Sequence, residues 1–149
     1  MSAANLTQNE ADALLAVGKQ RSDSVERDYP GLGGNLSAPL VSVDGREHFF
    51  LDIRRGRLNL CKGTYQNRGR QVIVLARLDF EGPPHRNPDG EEIGSTHLHL
   101  YREGYGDKWA YPVPPEQFPN QDDPWLMLDD FMRYCRIVEP PRIRRGLFV

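Results

Sequence analysis

The feature that most constrains this fold is a succession of short alternating segments joined by turns too tight for a crossover. Residues 40–43 and 47–53 are separated by Asp44-Gly45, a dipeptide suited to a tight hairpin. In 47–53, Phe49, Leu51 and Ile53 fall on one face and His48, Phe50 and Asp52 on the other. Arg55-Gly56 turns the chain into a third expected strand, 57–61, followed by a polar, basic loop, 65–70. Residues 71–80 form the longest apolar run and predict a central strand, buried on both faces over 72–76. Residues 96–102 alternate again, and 108–113 pairs back on them. A parallel neighbour needs a crossover of about a dozen residues or more, which most of these connections cannot supply. The expectation is an antiparallel meander of five or six strands.

Two helices flank the meander. Thr7-Gln8-Asn9-Glu10 has the capping-box pattern, with Leu6 as staple, and predicts a helix over 8–20 with Ala11, Leu14, Leu15 and Gly18 on one stripe. Asp123-Pro124 pairs an N-cap with proline at the first helical position. The helix it starts, 124–137, carries Trp125, Leu128, Met132 and Cys135 on one stripe, with Asp129, Asp130, Arg133 and Arg136 outside it. The fold class is therefore α+β, with an N-terminal and a C-terminal helix packed on one sheet face. At 149 residues this is one domain, 1–149, with a free end at 1–5, a long loop at 81–95 and a tail at 139–149. Asn87-Pro88-Asp89-Gly90 marks a turn at the loop tip, and the glycines of 104–109 serve a hairpin.

Composition closes off several classes. No apolar run is long enough to span a membrane, and the start of the chain lacks a secretory leader. With only Cys61 and Cys135, neither a disulfide framework nor a cysteine zinc site is expected, and a reducing cytoplasm is the default. No phosphate-binding glycine motif is present. The net charge of −2 hides a segregation. Between Asp52 and Asp79 there is no acid, but there are Arg54, Arg55, Arg57, Lys62, Arg68, Arg70 and Arg77.

The chemistry gathers at 84–112, which holds His85, His97, His99, Tyr101, Tyr105 and Trp109. Period-two spacing places His97, His99 and Tyr101 on one face, opposite Leu98 and Leu100. With helices on one side, the uncovered face collects His48, Asp52, Arg57, Asn59, Arg77, Asp79, His97, His99 and Tyr101. Metal-independent RNA cleavage needs a base, an acid and cations for phosphate. His97 and His99 suit the proton transfers, aided by Tyr101, and His85 can replace either. Arg54, Arg57, Lys62, Arg68, Arg70 and Arg77 suit the phosphates, and Tyr65 a stacked base. The same histidines can also ligate a metal, completed by His48, Asp52 or Asp79. With no H-E-x-x-H and no cysteine pair, neither a metal nor a cofactor is part of the expected site. The bland reading is a solvent-facing histidine pair on a binding surface.

The runs 85–93 and 97–110, with 51–57 and the Leu6-Thr7 opening, resemble a family of small uncharacterised bacterial and prophage proteins. That resemblance implies a mobile-element setting and carries over no activity and no residue roles. The expected function is a cytoplasmic protein that engages RNA or a ribonucleoprotein through its basic sheet face, extended to a toxin-like endoribonuclease. The alternative is a non-catalytic protein-binding inhibitor, an antitoxin or counter-defence protein with Arg, Tyr and Trp contacts.

Overall fold

The computed structural model describes residues 5–59 and 61–146. Helix α1 (Gln8–Ala16) leads into β1 (Lys19–Arg21), β2 (Glu26–Asp28), β3 (Asn35–Ser42), β4 (His48–Arg55), β5 (Gly63–Gly69) and β6 (Ile73–Phe80). The long loop holds a ribbon of β7 (His85–Arg86) and β8 (Glu92–Ile93), and β9 (His97–Leu100) and β10 (Ala110–Pro112) follow. Helix α2 (Pro124–Tyr134), β11 (Ile137–Glu139) and β12 (Arg142–Arg144) complete the chain. The class is α+β.

The main sheet is larger than the expected meander and mixed. Its eight strands run β10-β9-β6-β5-β4-β3-β1-β11. The inner ladders are antiparallel, but β1 pairs with β11 in parallel, and β12 pairs with β2 in parallel in a separate ribbon. These pairings join distant parts of the chain, so local alternation did not announce them. They also shorten α1. It ends at Ala16, and the backbone N–H of Lys19 donates to Arg136 O at 2.8 Å instead of continuing the helix.

Both helix starts follow their side-chain signals. Thr7 and Glu10 close the capping box, and Asp123 accepts from the backbone N–H groups of Trp125 and Leu126. Both helices lie on one sheet face. A single core joins Ala11 and Leu14 of α1 and Met127, Leu128 and Phe131 of α2 to Leu40, Phe49, Leu51, Ile53, Leu78 and Leu98. One residue read as outside the stripe departs from expectation: Asp130 is buried, its carboxylate accepting from the backbone and side-chain N–H of Asn120.

The third strand is displaced. Within 57–61, Arg57 and Asn59 lie in a turn outside any strand, and Leu60 falls outside the described residues. The strand is β5, in the segment that reads as a polar loop. There Tyr65 and Asn67 point into the core while Thr64, Gln66 and Arg68 face the open side. Asn67 is buried because its amide donates to Phe50 O. Gly63 starts β5 where β4 and β6 close in; an added Cβ would sit 2.6 Å from Arg54 O and 2.7 Å from Phe80 Cζ. In β6, Val72 lies just before the strand and is exposed, so double-sided burial does not extend over 72–76.

In the tail, β12 is described, whereas Leu147, Phe148 and Val149, read as docking residues, lie outside the described residues. Among the described residues no helix is long and apolar enough to cross a membrane.

Candidate functional site

The sheet face away from the helices carries two transverse polar rows. Cross-strand registers align Ser37, Asp52, Gln66, Arg77 and His99 in one, and Asn35, Arg54, Thr64, Asp79 and His97 in the other. Same-face neighbours on adjacent strands stand close enough to bond side chain to side chain. Together they floor a groove of about 770 Å³, walled at one end by Gly82, Pro83, Pro84 and His85.

At its β3–β4–β5 end the groove is a closed network. Asp52 takes both Arg68 Nε (2.6 Å) and Nη2 (3.1 Å), Ser37 Oγ (2.7 Å) and Gln66 Nε2 (2.8 Å). The Arg68 guanidinium lies over Phe50 and donates to Gln71 O. Arg77 is similarly held, donating to Asp107 Oδ2 at 2.6 Å and lying 3.3 Å from Asp79 Oδ1. Arg68 and Arg77 therefore line the groove with their forks already filled by carboxylates. Arg54 and Lys62 are exposed groove-lining cations with no acidic partner among the described residues.

The other expected contacts fall elsewhere. Arg57 is exposed beside Gly33, outside the groove. Arg70 turns toward the helix side, paired with Glu47 and Glu10. Tyr65 is fully buried among Tyr29, Phe80 and Phe131, its hydroxyl bonded to Tyr29 and donating to Pro124 O, so it cannot stack a base. Tyr101 also leaves the face. β9 ends at Leu100, and the Tyr101 hydroxyl accepts from Leu6 N (2.7 Å) and donates to Leu6 O (2.8 Å), fastening the entry to α1. His48 is exposed and outside the groove lining. In the 104–109 hairpin, Gly104 and Gly106 take φ of +84° and +61°, the left-handed turn role expected of them. Arg102 stacks over Trp109 at 4.1 Å.

The histidines converge at the opposite end. His97 and His99 lie on the open face, but they are covered: their relative exposures are 2% and 1%. The cover comes from the β7–β8 loop, which lays His85 against both rings at centroid distances of 5.6 and 4.6 Å. Asn87 anchors that loop to the edge strand β10, donating to Ala110 O (2.9 Å) and accepting from Ala110 N (2.8 Å). Its amide thus mimics a neighbouring strand and occupies an edge that would otherwise be free to pair.

Each imidazole is oriented by a backbone carbonyl. His97 Nδ1 lies 2.7 Å from Gly94 O, His99 Nδ1 2.8 Å from Asp107 O, and His85 Nε2 2.8 Å from Lys108 O. A carbonyl only accepts, so the ring nitrogen facing it carries the proton. Asp79 sits between the two buried rings. Its Oδ1 accepts from Thr64 Oγ1 at 3.0 Å, and its Oδ2 lies 3.3 Å from both His97 Nε2 and His99 Nε2. His99 Nε2 is nonetheless buried without a hydrogen bond, since Oδ2 is near it but poorly aligned. Burial pushes the Asp79 carboxyl up, but the two imidazoles and Arg77 outweigh it and hold it far below the usual carboxylate range. Burial also opposes charge on His97, yet Asp79 and Gly94 O raise it above its ordinary value.

The sequence brought His97, His99, Asp79 and Arg77 to one face by alternation, and His85 was named as a substitute for either histidine. Asp107 was missed because it reads only as a turn residue. Asn87 was missed because its sole signal was a turn at a loop tip.

No curated protein and no solved structure matches this chain. The model of a family of unknown function, DUF6978, matches residues 6–137, from the start of α1 through the histidine cluster to β11, and the chain belongs to that family.

Proposed function

We propose that the open-face groove binds a single strand of RNA through its sugar–phosphate backbone. The observation that carries this reading is the placement of Arg54 and Lys62, two cations without an acidic partner among the described residues, beside the side-chain amides of Asn35 and Gln66 along the groove floor. A phosphate chain matches spaced cations backed by neutral donors. Among the described residues no Tyr, Trp or Phe lines the groove. Base stacking is therefore not part of the mode, and recognition is electrostatic and tolerant of sequence.

Strand cleavage at the histidine end extends the proposal. Phosphoryl displacement places attacking and leaving oxygens roughly in line across phosphorus. His97 and His99 stand side by side, with ring centroids 4.9 Å apart, and turn their Nε2 atoms to one carboxylate oxygen. This geometry favours action at one point over an opposed acid and base.

The test is fluorescence anisotropy with a short unstructured RNA, comparing wild type, the double variant Arg54→Glu/Lys62→Glu, and Arg46→Glu at the far hairpin tip. The double variant is expected to bind at least about tenfold more weakly, with its salt slope reduced by up to about 0.7 per cation removed. If it loses no more affinity than Arg46→Glu, the groove does not bind RNA, and a protein-binding inhibitor becomes the better reading.

A further inference from the structure

We propose that His85, His97 and His99 form a binding site for a first-row divalent cation, zinc or a close chemical relative, with Asp79 beside it as fourth ligand or counter-charge. The inference stands on the histidines and does not rest on what the groove binds.

Three independent features of the cluster point the same way. First, one ring nitrogen from each histidine lies within 4.8 Å of the others. Zn–N bonds of about 2.0–2.1 Å in tetrahedral geometry set ligand nitrogens about 3.4 Å apart. The cluster must close by about 1.4 Å at its widest to bind such an ion.

Second, each of the three rings gives one nitrogen to a backbone carbonyl, at Lys108, Gly94 and Asp107. Metal-ligating histidines characteristically donate the remote N–H in this way, which fixes the tautomer and aims the second nitrogen's lone pair at the ion.

Third, the inward nitrogens lack adequate partners as they stand. His99 Nε2 is sealed from solvent with no hydrogen bond. Both Nε2 atoms lie 3.3 Å from the same Asp79 oxygen, longer than a charge-assisted N–H···O bond of about 2.7–2.9 Å. A buried polar atom without a partner carries a desolvation cost, and a cation between these nitrogens and the carboxylate removes it. The second oxygen of Asp79, bonded to Thr64, keeps the carboxylate turned inward. The donors are imidazole and carboxylate without thiolate, a set that suits Zn, Co, Ni or Fe(II) over Mg or Ca.

The test uses the full chain, stripped with a chelator and titrated with Co²⁺, then with Zn²⁺ as competitor. Saturable binding of a single Co²⁺ per chain, with visible ligand-field bands that Zn²⁺ abolishes, is expected. His85→Gln, at a half-buried loop position that leaves the sheet intact, is expected to weaken Co²⁺ binding by about 100-fold or more, in line with losing a ligand rather than an outer partner. His48→Gln, outside the cluster, is expected to match wild type. Circular dichroism checks the fold, and the loss of Zn²⁺-induced thermal stabilisation in His85→Gln gives a second readout. Absence of saturable binding, or a folded His85→Gln protein that binds Co²⁺ like wild type, overturns the proposal.

Discussion

Lys19 offers the sharpest test of how this fold is held together. Its side chain is fully buried, and its ammonium donates to Leu15 O (2.8 Å), Val17 O (3.1 Å) and Cys135 O (2.8 Å), with Phe49 packed 4.9 Å below. These carbonyls belong to the ends of both helices: Leu15 is in the last turn of α1, Val17 is its C-cap, and Cys135 is the C-cap of α2. Helix C-termini carry orphan carbonyls and a partial negative charge. A single ammonium thus caps two helices. Replacing it by methionine keeps the length and removes every donor. Orphaning one buried and two part-buried carbonyls at about 1 kcal/mol each, the low end because two keep some access to water and the variant also avoids burying a charge, gives a loss of about 3 kcal/mol. For a domain of this size that lowers Tm by about 6–12 °C.

The pH dependence of this penalty has a defined sign. Burial pushes Lys19 down to about 8 from its ordinary 10.5, so at pH 7 it is charged whether the chain is folded or unfolded. Between those values the unfolded chain holds a proton that the folded one has released, so wild-type stability rises with pH, with a limiting slope of about 1.4 kcal/mol per pH unit. Lys19→Met lacks that gain, and its deficit relative to wild type grows through the same window. Urea denaturation of both proteins at pH 7, 8, 9 and 10 measures it. A deficit below about 1 kcal/mol at pH 7, or one that shrinks as pH rises, would refute the capping argument.

Asn87→Ala removes the amide that pins the His85 loop to β10, so Co²⁺ affinity is expected to fall by about 10–100-fold, as for other outer partners, with stability reduced by about 1–3 kcal/mol; unchanged metal affinity would show that the loop is positioned by other contacts. Tyr101→Phe deletes both hydrogen bonds to Leu6 and is expected to lower stability by about 1–3 kcal/mol while leaving RNA affinity untouched, which anisotropy and denaturant titration check together. Gly63→Ala places a Cβ within 2.7 Å of both backbone and ring atoms, so a loss above about 1 kcal/mol is expected in thermal unfolding.

Local chemistry was legible wherever a few neighbouring residues settle the outcome. The Thr7 and Asp123 caps, the Asn87–Gly90 turn and the inward faces of β4 and β9 all follow from interactions within one or two turns or strands. Illegible features depend on partners far along the chain. Nothing near Tyr65, Gln66 and Asn67 signals a strand, because the donors of their side chains are taken up by Pro124 O, Asp52 and Phe50 O across the sheet and core. Tyr101 looks like a site residue until its hydroxyl is seen to clasp Leu6.

The sequence alone determined an α+β domain, two capped helices, and a period-two pattern that sends His97 and His99 to the side opposite Leu98. Only the tertiary structure decided that Asp79 stands between those imidazoles, that Asn87 carries His85 over them, and that most of the seven arginines and lysines are committed to carboxylates or to other faces. The reason is physical: alternation depends on backbone geometry within a strand, whereas convergence depends on registers and loop docking set by long-range burial and hydrogen bonding.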